Sequence, residues 1–122
     1  MSNQHPSDSQ DESIRPWGQY HVLLDTDYCK VKEIIVKPNQ RLSYQRHQKR
    51  EEYWTIVQGS ALVTLEGKDH ALSTGDQIHI PKTAAHRIAN SSSEPLHFIE
   101  IQQGTYFGED DIERLEDDYG RR

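Results

Sequence analysis

Cysteine is nearly missing from this chain of 122 residues: the single Cys29 cannot form an internal disulfide, so nothing implies an oxidising compartment. Apolar residues are also scarce, at 33%, with a mean hydropathy of −0.94. No run approaches the roughly 20 apolar residues of a membrane span, and the N-terminus has no signal-peptide core. Basic charge is short as well: 14 Lys and Arg against 20 Asp and Glu leave −6, whereas nucleic-acid binding wants a basic face. By default these shortages indicate a soluble, cytoplasmic protein with neither a nucleic-acid nor a membrane partner. The length suits one domain with a single core.

The apolar deficit is concentrated at the two ends. Residues 1–13 hold no apolar side chain except Met1 and read as a disordered tail. Residues 109–118 carry seven carboxylates (Glu109, Asp110, Asp111, Glu113, Glu116, Asp117, Asp118) and one arginine. Between them, short β-like runs alternate with turn residues: 19–24, 30–37, 42–47, 52–57, 61–65, 70–72, 77–80, 87–89 and 95–102. Regularly spaced short strands indicate an all-β sandwich or barrel over residues 14–107. After it, Ile112, Leu115 and Tyr119 recur at i, i+3 and i+7, which predicts a short amphipathic helix capping the barrel within 108–122. Acidic residues at its start would favour the first turn through the helix dipole.

The chemistry gathers in Gln45-x-His47-x4-Glu52 and, downstream, Pro81-x4-His86. Gln45 and His47 are two apart, so on a strand they project from one face. The polar run 48–51 is long enough to turn the chain before Glu52. Two imidazoles, a carboxylate and a carboxamide suit a divalent ion and leave open positions for water or substrate. The set carries one formal negative charge, so a bound ion would remain a Lewis acid. His5, His21, His70, His79 and His97 lack this context.

These spacings resemble the two motifs of the cupin superfamily, and the chain is similar to the type II phosphomannose isomerase domain. The likeness runs through Arg15-Pro16-Trp17-Gly18, Leu42-Ser43-Tyr44-Gln45-x-His47-x2-Arg50-x-Glu52-x-Trp54, Ile80-Pro81-x4-His86-Arg87-x2-Asn90, Gly104-Thr105-Tyr106-Phe107-Gly108-Glu109-Asp110-Asp111-Ile112 and Tyr119-Gly120-Arg121. It departs at Tyr53, where the family usually has His, and at Asn39 and Thr83, where Gly is frequent. No Gly-rich nucleotide-binding segment precedes the barrel, so nucleotidyl transfer is not expected.

The resemblance implies a cupin double-stranded β-helix, a jelly-roll barrel, with Gln45, His47, Glu52 and His86 as metal ligands. It implies one divalent metal: zinc first, which has no redox chemistry, with manganese, iron, cobalt or nickel also compatible. It implies interconversion of mannose 6-phosphate and fructose 6-phosphate through an enediol, feeding mannose and polysaccharide metabolism. Glu100 and Lys32 are candidate proton carriers, and Arg50 a candidate for stabilising the enediolate. Arg41, Lys82 and Arg87 are candidates for the phosphate, since each lies close in sequence to a ligand. A homodimer is expected. Two alternatives stay open: an Fe(II) dioxygenase-type cupin, and a sugar-phosphate-binding module without catalysis.

Overall fold

A computed structural model describes residues 13–121. The tail expected over 1–13 lies almost wholly outside the described residues. Among the described residues, twelve strands form two antiparallel sheets: β1 Ile14–Arg15, β2 Gly18–Asp25, β3 Lys30–Val36, β4 Gln40–Arg41, β5 Tyr44–Arg46, β6 Arg50–Gln58, β7 Ser60–Leu65, β8 Lys68–Ser73, β9 Gln77–Ile80, β10 His86–Asn90, β11 Leu96–Gly104 and β12 Glu113–Glu116. The first sheet runs β1-β2-β3-β11-β6-β9 and the second β12-β5-β10-β7-β8, with β4 also paired to β10. This is the expected double-sheeted all-β barrel. No helix among the described residues is long and apolar enough to cross a membrane.

The inward face of the first sheet changes character along its strands. On β3 the buried positions are Lys30, Lys32, Ile34 and Val36; on β11 they are Leu96, Phe98, Glu100 and Gln102. Register places Leu96 opposite Val36, and Phe98 opposite both Ile34 and Ile56. Glu100 faces Lys32 and Trp54, and Gln102 faces Lys30 and Glu52. One end of the barrel is therefore packed with Val36, Ile56, Ile88, Leu96 and Phe98, all at most 1% exposed. Each such side chain contributes roughly 1.5–3 kcal/mol by leaving water. The other end buries charge, and the site lies there.

The helix expected within 108–122 is not formed. Residues 113–116 instead make β12, antiparallel to β5, with Glu113 opposite Arg46 and Arg114 opposite Gln45. The physical reason is twofold. β5 offers a free edge whose backbone groups need partners. A strand also spreads the carboxylates outward to separate cations, Glu113 to Arg46 at 2.8 Å and Asp118 to Arg41 at 2.7 Å, where a helix would crowd them. Ile112 and Arg114, two apart, line the same cavity, and Tyr119 packs against the core. The period was 2 where 3.6 fitted the apolar residues.

Two turn substitutions behave differently. Asn39 has φ 62° and Thr83 φ 67°, both left-handed. Asn tolerates this region, but a β-branched Thr does not.

Candidate metal centre

Strand alternation on β6 turns Arg50, Glu52 and Trp54 inward and leaves Tyr53 exposed on the outer face, stacked on His79 at 4.6 Å. Tyr53 is thus kept away from the site, as its position next to Glu52 requires. His47 sits in the turn between β5 and β6, and His86 opens β10 opposite Gln45. Ligand atoms of His47, Glu52 and His86 all fall within 4.8 Å of one another, and all three residues are buried. Gln45 is half-buried and lines the adjoining cavity.

The donors fit a divalent ion. His47 Nδ1 lies 2.6 Å from the Asp111 carbonyl and His86 Nδ1 2.9 Å from the Ala84 carbonyl. A carbonyl only accepts, so each Nδ1 carries the proton and each Nε2 is left with a lone pair. His86 Nε2 is buried without a hydrogen-bond partner among the described residues. His47 Nε2 faces Glu52 Oε2 at 3.3 Å, two acceptors side by side. Such an arrangement calls for a cation. Arg50 supplies one positive charge, its Nε donating to Glu52 Oε2 at 2.8 Å and its Nη2 to His47 Nε2 at 3.3 Å. Trp54 Nε1 donates to the other Glu52 oxygen at 2.9 Å.

The titration of these groups follows the same geometry. Burial first, then Arg50, lowers His47 to about 4, so the imidazole is neutral and available to a metal at neutral pH. Burial likewise lowers His86. Burial alone would raise Glu52, but Arg50 and the two imidazoles hold it well below the usual carboxylate range.

Next to the cluster is a cavity lined by His47, Gln45, Arg50, Lys32 and Glu100, and by Arg15, Glu109, Arg114 and Arg121. Burial, then Glu52, pushes the Glu100 carboxyl up to about 8. Gln102 Nε2 donates to Glu100 Oε1. The Lys32 ammonium bonds Glu109 Oε2 and lies 4.1 Å above the Tyr20 ring. Lys30 is 3.7 Å from the same carboxylate. Burial would raise Glu109, but Lys32 and Arg50 hold it down to about 2.

Of the residues singled out from sequence, Gln45, His47, Arg50, Lys32 and Glu100 line this one cavity, and Glu52 and His86 complete the cluster. Arg41, Lys82 and Arg87 are not brought there. Arg41 is bound to Asp118 outside, and Lys82 is exposed on the loop after β9. Arg87 is buried, its Nε donating to the Leu42 carbonyl at 3.0 Å and its Nη2 to the Glu116 carbonyl at 3.4 Å. Arg87 follows His86 on β10, and neighbours on a strand face opposite ways. Besides Lys32 and Arg50, the cavity is lined by cations from the two ends of the described chain, Arg15 on β1 and Arg114 and Arg121 at or beyond β12. Arg15 and Arg121 lie in segments marked by family likeness, and Arg114 in the acidic stretch read as a helix. Lys30 had a signal that went unused: it alternates with Lys32, Ile34 and Val36.

The sequence matches the family described as mannose-6-phosphate isomerase C-terminal over residues 2–117. The alginate biosynthesis protein AlgA of Pseudomonas aeruginosa is 48% identical over 110 residues, covering 90% of this chain and 23% of that protein. The mannose-1-phosphate guanylyltransferase ManC of Salmonella typhimurium is 43% identical, with the same coverage of 90% and 23%. The chain thus spans about a quarter of the length of these curated relatives. Two solved structures share its fold. The capsular polysaccharide assembling protein CapF of Staphylococcus aureus superposes with a TM-score of 0.75 at 18% identity, over 84% of this chain and 33% of that one. A Klebsiella pneumoniae protein with a double-stranded β-helix domain gives 0.70 at 23% identity, over 95% and 99%. The fold is a cupin double-stranded β-helix.

Proposed function

Given that the chain belongs to the mannose-6-phosphate isomerase C-terminal family, we propose that it is a metal-dependent aldose–ketose isomerase interconverting mannose 6-phosphate and fructose 6-phosphate. The observation that carries this reading is a single cavity joining three kinds of group. These are a buried cluster of metal-type donors, a carboxyl poised to hold and release a proton, and arginines for an anion.

A divalent metal held by His47, Glu52 and His86, with Gln45 alongside, would stabilise negative charge developing on the sugar's C1 and C2 oxygens. The remaining work falls to the chain. Glu100 takes the proton from C2 of the open-chain aldose and returns it to C1, while the hydroxyl proton passes from O2 to O1; atoms and charge balance. A carboxyl raised to about 8 suits a group that must both accept and give back a proton near neutrality. Lys32, opposite Glu100 in register, places a cation beside the enediolate. Arg15, Arg114 and Arg121, far from the cluster in sequence but on the same cavity, bind the phosphate; arginine's planar fork suits its oxygens. Since a relative is named for alginate biosynthesis, we read the reaction as one supplying mannose units to polysaccharide synthesis.

The test is direct. Mannose 6-phosphate is added to protein loaded separately with zinc, manganese, cobalt, nickel or iron, and fructose 6-phosphate is measured. Turnover that is independent of oxygen and absent from the His47→Ala, His86→Ala double variant supports isomerisation. No product above that variant with any metal overturns it; calorimetric binding without conversion would then identify a binding module, and oxygen uptake with iron an oxygenase.

A further inference from the structure

Residues 105–112 join β11 to β12 and reach the cavity through Glu109 and Ile112, and they are fastened to the turn that carries His47. Thr105 N–H donates to the Lys49 carbonyl at 3.0 Å. The Asp111 carboxylate accepts from the backbone N–H of Gln48 at 3.1 Å and of Lys49 at 3.0 Å, one oxygen to each. The Asp111 carbonyl accepts from His47 Nδ1 at 2.6 Å. The strap is also folded on itself. Tyr106 Oη donates to Asp110 at 2.6 Å, and its ring covers Gly108 so closely that a Cβ there would fall 2.1 Å from the hydroxyl.

The two histidines of the cluster differ in how their rings are held. His86 is oriented by the carbonyl of Ala84, two residues earlier in its own chain segment. His47 depends on an acceptor 64 residues away in sequence. The Asp111 N–H bond to the Gly108 carbonyl at 3.2 Å folds the acceptor's own turn, and the paired bonds from Gln48 and Lys49 to the Asp111 side chain tie that turn to the one carrying His47. Two convergent N–H groups suit a carboxylate, which offers an oxygen to each, whereas an amide offers only one acceptor.

We propose that Asp111 is a positioning residue for the metal centre: its carboxylate docks the 105–112 strap on the Gln48–Lys49 turn, so that its carbonyl holds His47 as the Nδ1–H tautomer with Nε2 facing Glu52 and His86. This rests on reading His47, Glu52 and His86 as metal ligands, and it explains why a segment so far along the chain belongs to the site. Partners of this kind behind a ligating histidine change metal affinity by roughly 10–100-fold when lost.

Two measurements test it on the full chain: long-range 1H–15N histidine spectra of the metal-free protein, and Co2+ titration in competition with a chelator. They compare wild type, Asp111→Ala, Asp111→Asn and, as a control, Asp118→Ala, which removes an exposed carboxylate paired with Arg41. Wild type and Asp118→Ala should show His47 only as Nδ1–H. Asp111→Ala should show a tautomer mixture and bind Co2+ about tenfold more weakly or worse, with Asp111→Asn between. A His47 that stays purely Nδ1–H in Asp111→Ala, with Co2+ affinity within about twofold of wild type, overturns the proposal. Should Asp111→Ala not fold, Asp111→Asn decides on the same readings. If wild type binds no Co2+, the metal reading falls, and the tautomer comparison alone decides the positioning role.

Discussion

At the scale of single residues, side chains in this barrel are set by what burial does to charge. Glu100 and Glu109 line the same cavity, yet one is pushed up to about 8 and the other held down to about 2. At Glu109 the charges of Lys32 and Arg50 outweigh burial, whereas at Glu100 burial and the like charge of Glu52 outweigh the same two cations. Carboxyls driven apart in this way divide into a proton carrier and a fixed anion. Replacing Glu100 by Gln should therefore lower kcat about a hundredfold or more, with KM for mannose 6-phosphate changed little. An equal loss in the two parameters' ratio coming from KM alone would show that Glu100 binds and does not carry the proton. Thr83 gives a second test at this scale. Its φ of 67° strains a β-branched residue whose side chain is exposed, so nothing is lost by removing it. Thr83→Gly should stabilise the fold by about 1 kcal/mol, read as a higher urea midpoint at unchanged slope. A lower midpoint would mean the Thr side chain makes a contact worth more than its strain.

At the scale of elements, the strap and β12 behave as one unit clamped by ions to the barrel end. Glu109 is its inward anchor, half-buried against Lys32 and Lys30. A carboxyl lowered from 4.5 to about 2 stabilises the fold fully above pH 4.5 and loses that contribution as pH falls toward 2. At about 1.4 kcal/mol per unit, the contribution is at most on the order of 3 kcal/mol. Glu109→Gln should be less stable than wild type at pH 7, and its urea midpoint should fall less between pH 4.5 and 3. Parallel pH profiles for the two proteins would show that the pair contributes nothing. This unit was also the part hardest to read from sequence. Apart from β1, the strands of the first sheet were legible within about two residues, and Lys30 to Val36 and Leu96 to Gln102 alternate between buried and half-exposed or exposed positions. The four candidate ligand positions stood out because Gln45, His47, Glu52 and His86 are punctuated by turn residues. What pairs with β12, by contrast, is the edge of β5, which exists only once the barrel has closed. Ile112, Leu115 and Tyr119 fit a helical period by coincidence, and no local signal distinguishes the two. Arg15 and Arg121 met at the cavity for the same reason: topology, not spacing, brings the chain's ends together.

At the scale of the whole molecule, charge and fold oppose each other in a useful way. The chain carries −6, but the cavity is lined by five cations (Arg15, Lys32, Arg50, Arg114, Arg121) against two carboxylates (Glu100, Glu109). That cavity thus favours an anionic substrate despite the net negative charge. The cluster beside that cavity also spans the architecture. Glu52 lies on β6 of the first sheet, His86 on β10 of the second, and His47 in the turn linking β5 of the second sheet to β6 of the first. An ion bound there would fasten the two sheets together, and since three buried donors converge only in the folded state, binding must shift the folding equilibrium. At a free metal concentration a hundredfold above Kd the gain should be about 2.7 kcal/mol. Thermal unfolding should therefore move to higher temperature on adding zinc or cobalt and return on adding a chelator. The His47→Ala, His86→Ala double variant should show neither change. If the wild-type transition is unmoved by any of these ions at millimolar concentration, the cluster is a structural one, with Arg50 as the only cation that Glu52 needs.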